Sequence, residues 1–87
     1  MNIDLLIKMT NEIGEFFAGT AAPAEATRAV ATHLRRYWEP RMRAQIISYC
    51  EQRNGAGLSE LGRAAVAQLA QDARAGGGGG AAPGKRA

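Results

Sequence analysis

The sequence predicts an all-α protein, a small bundle of three to four short helices followed by a disordered, glycine-rich C-terminal tail. Three observations carry that expectation. Apolar side chains recur at three- and four-residue steps through most of the chain before residue 76. Prolines and glycines break the pattern at intervals that suit short helices. No segment shows the two-residue alternation of a half-buried strand.

Residues 3 to 19 place Leu6, Met9, Ile13 and Phe16 or Phe17 on one helical face, with Asp4, Lys8, Glu12 and Glu15 mostly opposite. Gly14 inside that run suggests close packing against a neighbour. Gly19, Thr20 and the Ala-Ala-Pro that follows end the helix. Pro23 suits the first turn of a second helix, and Glu25 is favourable near its positive end. This helix presents Ala26, Val30, Leu34 and Tyr37 or Trp38, and it must stop near Glu39, because the residue before a proline disfavours helical angles. Pro40 opens a third helix with Met42, Ile46, Tyr49 and Cys50 on its apolar face. Asn54, Gly55 and Gly57 supply its stop. Ser59 caps a fourth helix, with Glu60 in its first turn and Leu61, Ala65 and Leu69 facing inward. The helical domain therefore spans residues 1–75, and residues 76–87, glycine-rich with almost nothing to bury, form the tail.

The 87 residues suffice for one small domain. Much of the hydrophobic content is alanine, and only five residues are aromatic, so the core is thin. In such a chain apolar burial and ordering entropy nearly cancel, and small scaffolds escape through disulfides, a metal or a partner. Cys50 is the only cysteine and His33 the only histidine, which excludes an internal disulfide and a four-ligand zinc site of cysteine and histidine. A partner is the remaining source of stability. The opening residues lack a basic leader with an apolar run, and no stretch approaches a bilayer span. The expectation is a cytoplasmic protein with Cys50 reduced.

The net charge of +3 is unevenly spread. Residues 1 to 27 are acidic, with Lys8 against Asp4, Glu12, Glu15 and Glu25. Residues 28 to 43 are basic, with Arg28, Arg35, Arg36, Arg41 and Arg43 against Glu39. The basic character is one patch plus Lys85 and Arg86 at the end.

Candidate chemistry is sparse. Gly79, Gly84 and Lys85 have the spacing of a phosphate-binding loop, but Arg86 stands where Ser or Thr should hold magnesium, with no strand before and no helix after. A tail is the better reading. His33 has no serine or cysteine one or two helical turns away, so it reads as a surface or interface residue. Cys50 lies on an apolar face and reads as a small buried hydrophobe. No pair of carboxylates resembles an acid–base dyad.

That leaves the stretch RRYWEPRMR, residues 35 to 43. As a plain corner, Arg35 and Arg36 favour the C-terminal end of the second helix, and Glu39 pairs with Arg35 or Arg43. Tyr37 and Trp38 then fill the core. Arg41 and Arg43 resist this account, because cations in the first turn of a helix are unfavourable by some tenths of a kcal/mol. Arg, Trp and Tyr are the types most enriched at energetically dominant interface positions. A docking surface of His33, Arg35, Arg36, Tyr37, Trp38, Pro40, Arg41, Met42 and Arg43 follows, with Arg41, Arg43 and Trp38 as its principal contacts. A small basic nucleic-acid-binding helical module is the alternative, although the basic residues occupy one corner and the first helix is acidic.

Two blocks make a resemblance specific. Met9, Asn11, Ile13, Gly14, Phe16 and Phe17 form the first. His33, Leu34, Arg35, Tyr37, Trp38, Glu39, Pro40, Arg41, Met42 and Arg43 form the second. Gly57, Leu58, Leu61, Arg63 and Ala64 support them. Over about residues 3 to 70 the chain resembles the delta subunit of the soluble, NAD-dependent, molybdenum- or tungsten-containing formate dehydrogenases. The resemblance implies a non-catalytic accessory subunit without a cofactor of its own, docking on the catalytic alpha subunit and serving assembly or cofactor retention. In such complexes alpha carries bis-molybdopterin guanine dinucleotide with Mo or W and iron–sulfur clusters. Beta carries FMN and the NAD site, and gamma a further cluster.

Overall fold

A computed structural model describes residues 2–20 and 22–75. It contains four helices, α1 (Ile3–Ala18), α2 (Pro23–Tyr37), α3 (Pro40–Arg53) and α4 (Glu60–Ala75), and no strand among the described residues. The expectations placed on residues 76–87, a disordered tail and a loop of phosphate-binding spacing, lie outside the described residues. No helix among the described residues is long and apolar enough to cross a membrane.

Each helix begins and ends for a local chemical reason. The Asn2 side chain accepts the Asp4 N–H at 2.8 Å and caps α1. Pro23 and Pro40 stand in the first turns of α2 and α3, where their missing N–H groups cost nothing, and neither helix has a side-chain cap. Ser59 Oγ accepts the Gly62 N–H at 3.0 Å and caps α4 as expected. Asn54, at φ 56°, stops α3 in the left-handed conformation, and the chain continues through positive φ at Gly55 and Gly57.

The core is built from Leu6, Val30, Leu34, Trp38, Ile46, Leu58, Val66 and Leu69, with Ala31 and Ala65 filling between them. The most extensive pairing is α2 against α4, whereas the sequential pair α2 and α3 hardly touch. Alanines explain the first fact. With Ala26, Ala31, Ala65 and Ala70 buried, those two helices meet over many positions without large side chains holding them apart. On α3 only Ile46 is fully buried.

The buried line of α1 differs from the expected one. It runs through Leu6, Thr10 and Gly14, while Met9, Ile13 and Phe17 only flank the core. Thr10 tolerates full burial because its hydroxyl donates to the Leu6 carbonyl at 2.8 Å. This rotation settles the choice between the two phenylalanines: Phe17 packs inward, and Phe16 is left 66% exposed. At the end of α2 it is Trp38, not Tyr37, that enters the core. On α4, Val66 and Ala70 are buried beside the expected Ala65 and Leu69, and Leu61 is half-buried.

Gly14 and Gly57 separate two reasons for a glycine. A methyl at Gly14 would stand 3.6 Å from Leu61 Cδ2, an ordinary contact, so the close approach does not require glycine there. Gly57 has φ +90°, where a side chain is strained whatever the space. Gly14→Ala is expected to raise stability by about 0.5–1 kcal/mol through helix propensity. Gly57→Ala is expected to lower it by about 1–3 kcal/mol. Urea titrations of the two variants check both signs.

Candidate functional site

The α2–α3 corner divides the expected docking residues into those that build the turn and those that face outward. Trp38, expected as a principal contact, is only 5% exposed and packs in the core. Arg43, expected beside it, turns back over the end of α2. Its guanidinium donates to the Arg35 carbonyl at 3.1 Å and to the Trp38 carbonyl. A cation is unfavourable at the start of α3, yet this one satisfies carbonyls that the last turn of α2 leaves without partners. The tension seen in the sequence is thereby resolved for Arg43.

Arg35 also has a different partner from the one expected. It pairs with Asp72 of α4 at 3.4 Å, and Glu39 forms no ion pair among the described residues. Arg28, Arg36 and Arg41 are exposed, with no ion pair or hydrogen bond from their side chains among the described residues. Tyr37 is 70% exposed, and Pro40 is exposed beside it. Met42 is half-buried against the core.

His33 is half-buried and lies within a row of rings. Its centroid is 4.8 Å from that of Tyr37 and 6.3 Å from that of Phe17, which in turn meets Phe16 edge-on at 5.1 Å. No nucleophile or carboxylate bonds to it among the described residues. The phenylalanine pair was not among the expected docking residues. The signal for it was present in the adjacent Phe16-Phe17, since both cannot turn inward on one helix.

A second constellation holds the loop between α3 and α4. Asn11 of α1 donates through Nδ2 to the Gly57 carbonyl at 3.0 Å and accepts the Ser59 N–H on Oδ1 at 2.8 Å. Tyr49 donates its hydroxyl proton to the Ala56 carbonyl, and Arg63 donates to the Leu58 carbonyl at 3.0 Å. Three side chains from three helices thus pin one loop. Sequence reasoning placed Asn11 and Arg63 only inside motifs, without a role.

Cys50 lines a groove of about 330 Å³ between α3 and α4, floored by Ile47, Val66 and Ala70 and flanked by Arg63 and Arg74. Burial pushes its thiol pKa upward, Arg63 opposes the shift and Glu51 adds to it. A thiol held protonated is a poor nucleophile and a poor metal ligand. Among the described residues no three His, Cys, Asp or Glu side chains gather as a metal site would require.

The two blocks and the loop clamp together form a pattern that can be compared with known families. The family model for the delta subunit of NADH-dependent formate dehydrogenase (FdsD) matches residues 5–66, well over half of the chain. The chain belongs to this delta-subunit family. The match runs from the first turn of α1 into α4 and takes in Asn11, the α2–α3 corner and Arg63. No protein of curated function and no solved structure matches the chain.

Two outcomes follow for this delta-subunit chain. Arg43→Met strips partners from two carbonyls at the corner and is expected to cost about 1–3 kcal/mol, whereas Arg41→Met stays within about 0.5 kcal/mol of the parent. Denaturant titrations of both variants measure the contrast. For Cys50 the folded-state pKa is raised, so its contribution is complete below the ordinary thiol range and is lost as pH climbs through and above it. Cys50→Ala should therefore flatten the alkaline limb of a stability–pH curve, read by thermal melting at stepped pH.

Proposed function

We propose that this chain is a non-catalytic accessory subunit of a cytoplasmic NAD-dependent formate dehydrogenase, docking on the cofactor-bearing catalytic subunit and stabilising it. The match of the delta-subunit family over residues 5–66 carries the reading. The redox groups belong to the partner subunits: bis-molybdopterin guanine dinucleotide with Mo or W, iron–sulfur clusters, FMN and bound NAD. This chain contributes contact surface. Within the α2–α3 corner the surface comes from Arg35, Arg36, Tyr37, Pro40 and Arg41, which are all exposed. Trp38, Arg43 and part of Met42 support it from behind. His33 lies at its edge in the ring row.

Two features support a contact role over a chemical one. The single thiol is raised in pKa, and the single histidine touches aromatic rings. The nucleic-acid reading loses ground on the same geometry. Of the five arginines in residues 28–43, Arg35 is tied to Asp72 and Arg43 to the α2 terminus, which leaves Arg28, Arg36 and Arg41 to meet phosphates. That is a small footprint for a salt-sensitive phosphate grip.

Co-expression of the dehydrogenase subunits with and without this chain tests the reading. The chain is expected to remain with the catalytic subunit through native purification. Its omission is expected to lower the Mo or W content per catalytic subunit, or the melting temperature of the complex. A complex that assembles, loads metal and melts identically without the chain would overturn the proposal.

A further inference from the structure

The corner is one end of a longer surface. Phe16, Phe17, His33 and Tyr37 form an unbroken row of rings from α1 to the end of α2, with centroid separations of 5.1, 6.3 and 4.8 Å. A groove of about 410 Å³ opens beside it between Met9, Ile13, His33, Tyr37 and Met42. Leu5, 42% exposed, lies three turns before Phe16 on the same side of α1, since eleven residues return a helix to within about 20°. Leu5, Phe16 and Tyr37 are the exposed large hydrophobics among the described residues, and all three belong to this face or its continuation.

Charge is distributed across this face in a definite direction. Glu12 borders it on the α1 side. Arg28 and Arg36 border it on the α2 side, where they outnumber the one carboxylate, Glu25, and neither arginine has an ion pair or side-chain hydrogen bond among the described residues. A surface that covers the rings should therefore place carboxylates over α2 and a cation over α1. Large aromatic anchors with unpaired arginines at the rim are the composition of an energetically dominant protein contact.

We propose that the α1–α2 aromatic face, with Phe16 and Tyr37 as its anchors, is the seat of a partner subunit of the dehydrogenase. The partner is a protein segment with an apolar ridge, flanked by acidic side chains where it passes Arg28 and Arg36. The ridge lies along the groove in the manner of a helix in a groove. This assignment rests on the delta-subunit reading and extends the docking surface from the α2–α3 corner onto α1, whose residues Phe16 and Glu12 contribute directly.

The test uses the full chain co-expressed with the other dehydrogenase subunits. Phe16→Ala with Tyr37→Ala is expected to reduce retention in the natively purified complex at least tenfold. The isolated variant should keep the helical signal and melting behaviour of the parent, because both side chains are exposed. Arg28→Glu with Arg36→Glu should weaken retention in low salt and leave less salt dependence than the parent shows. Retention of the aromatic double variant at the parent level would overturn the assignment while leaving the delta-subunit reading intact. A parent chain that is never retained would overturn both. A parent chain that forms a dimer broken by the aromatic variant, with retention in the complex unaffected, would assign the face to a second copy and also overturn the proposal.

Discussion

The guanidinium of Arg43, laid across the last carbonyls of α2, is the contact on which the geometry of the corner depends. Pro40 forces the chain to leave helical angles before α3 begins, and Glu39 offers no side-chain cap. Without Arg43 the end of α2 would present unpaired carbonyls next to a buried indole. With it, Trp38 can drop into the core while Tyr37, one residue earlier, stays outside. Neighbouring aromatics are thus sent to opposite sides of the same turn, one to fill the bundle and one to face solvent. The separation of α2 from α3 follows, and it leaves Met42 and His33 at the mouth of the groove.

Helix order, the roles of Pro23 and Pro40, the Asn54 stop and the Ser59 cap were legible in the sequence because each is decided by local backbone chemistry. The placement of buried faces was less so. On α1 the expected Leu6 is buried, but Thr10 and Gly14 took the places expected of Met9 and Ile13, since small side chains can sit closest to a neighbouring helix and hydrophobicity alone does not reveal this. Partners of charged groups were also misread. Spacing along one helix suggested Glu39 for Arg35, but the fold brings Asp72 from α4, thirty-seven residues away. The dipole argument rightly found Arg43 out of place in α3 and missed that α2 was its beneficiary. For the candidate site, the corner was visible as a cluster of Arg and aromatics, whereas its extension onto α1 needed tertiary structure to bring Phe17 against His33.

The loop from Asn54 to Ser59 shows the same economy in polar form. Positive φ at Asn54, Gly55 and Gly57 turns the chain sharply and frees carbonyls that regular structure would have paired. Asn11, Tyr49 and Arg63 meet three of these carbonyls and the Ser59 N–H, so the connection is fastened to α1, α3 and α4 together. In a protein whose third helix buries only Ile46 completely, such polar ties supply what apolar contact does not.

The distribution of large side chains bears on why a chain of this size should belong to an assembly. Its interior is served by alanine, valine and leucine, with Trp38 the one fully interior aromatic among the described residues, while Phe16 and Tyr37 stand in solvent. Their sequence neighbours Phe17 and Trp38 already take the inward positions at these two places. Folding alone therefore cannot use them. A partner can, because covering an exposed ring removes apolar area from water without disturbing the packing beneath it. The same rings would be a liability on a free monomer, and the acidic α1 rim and the basic α2 rim restrict which surface can approach them.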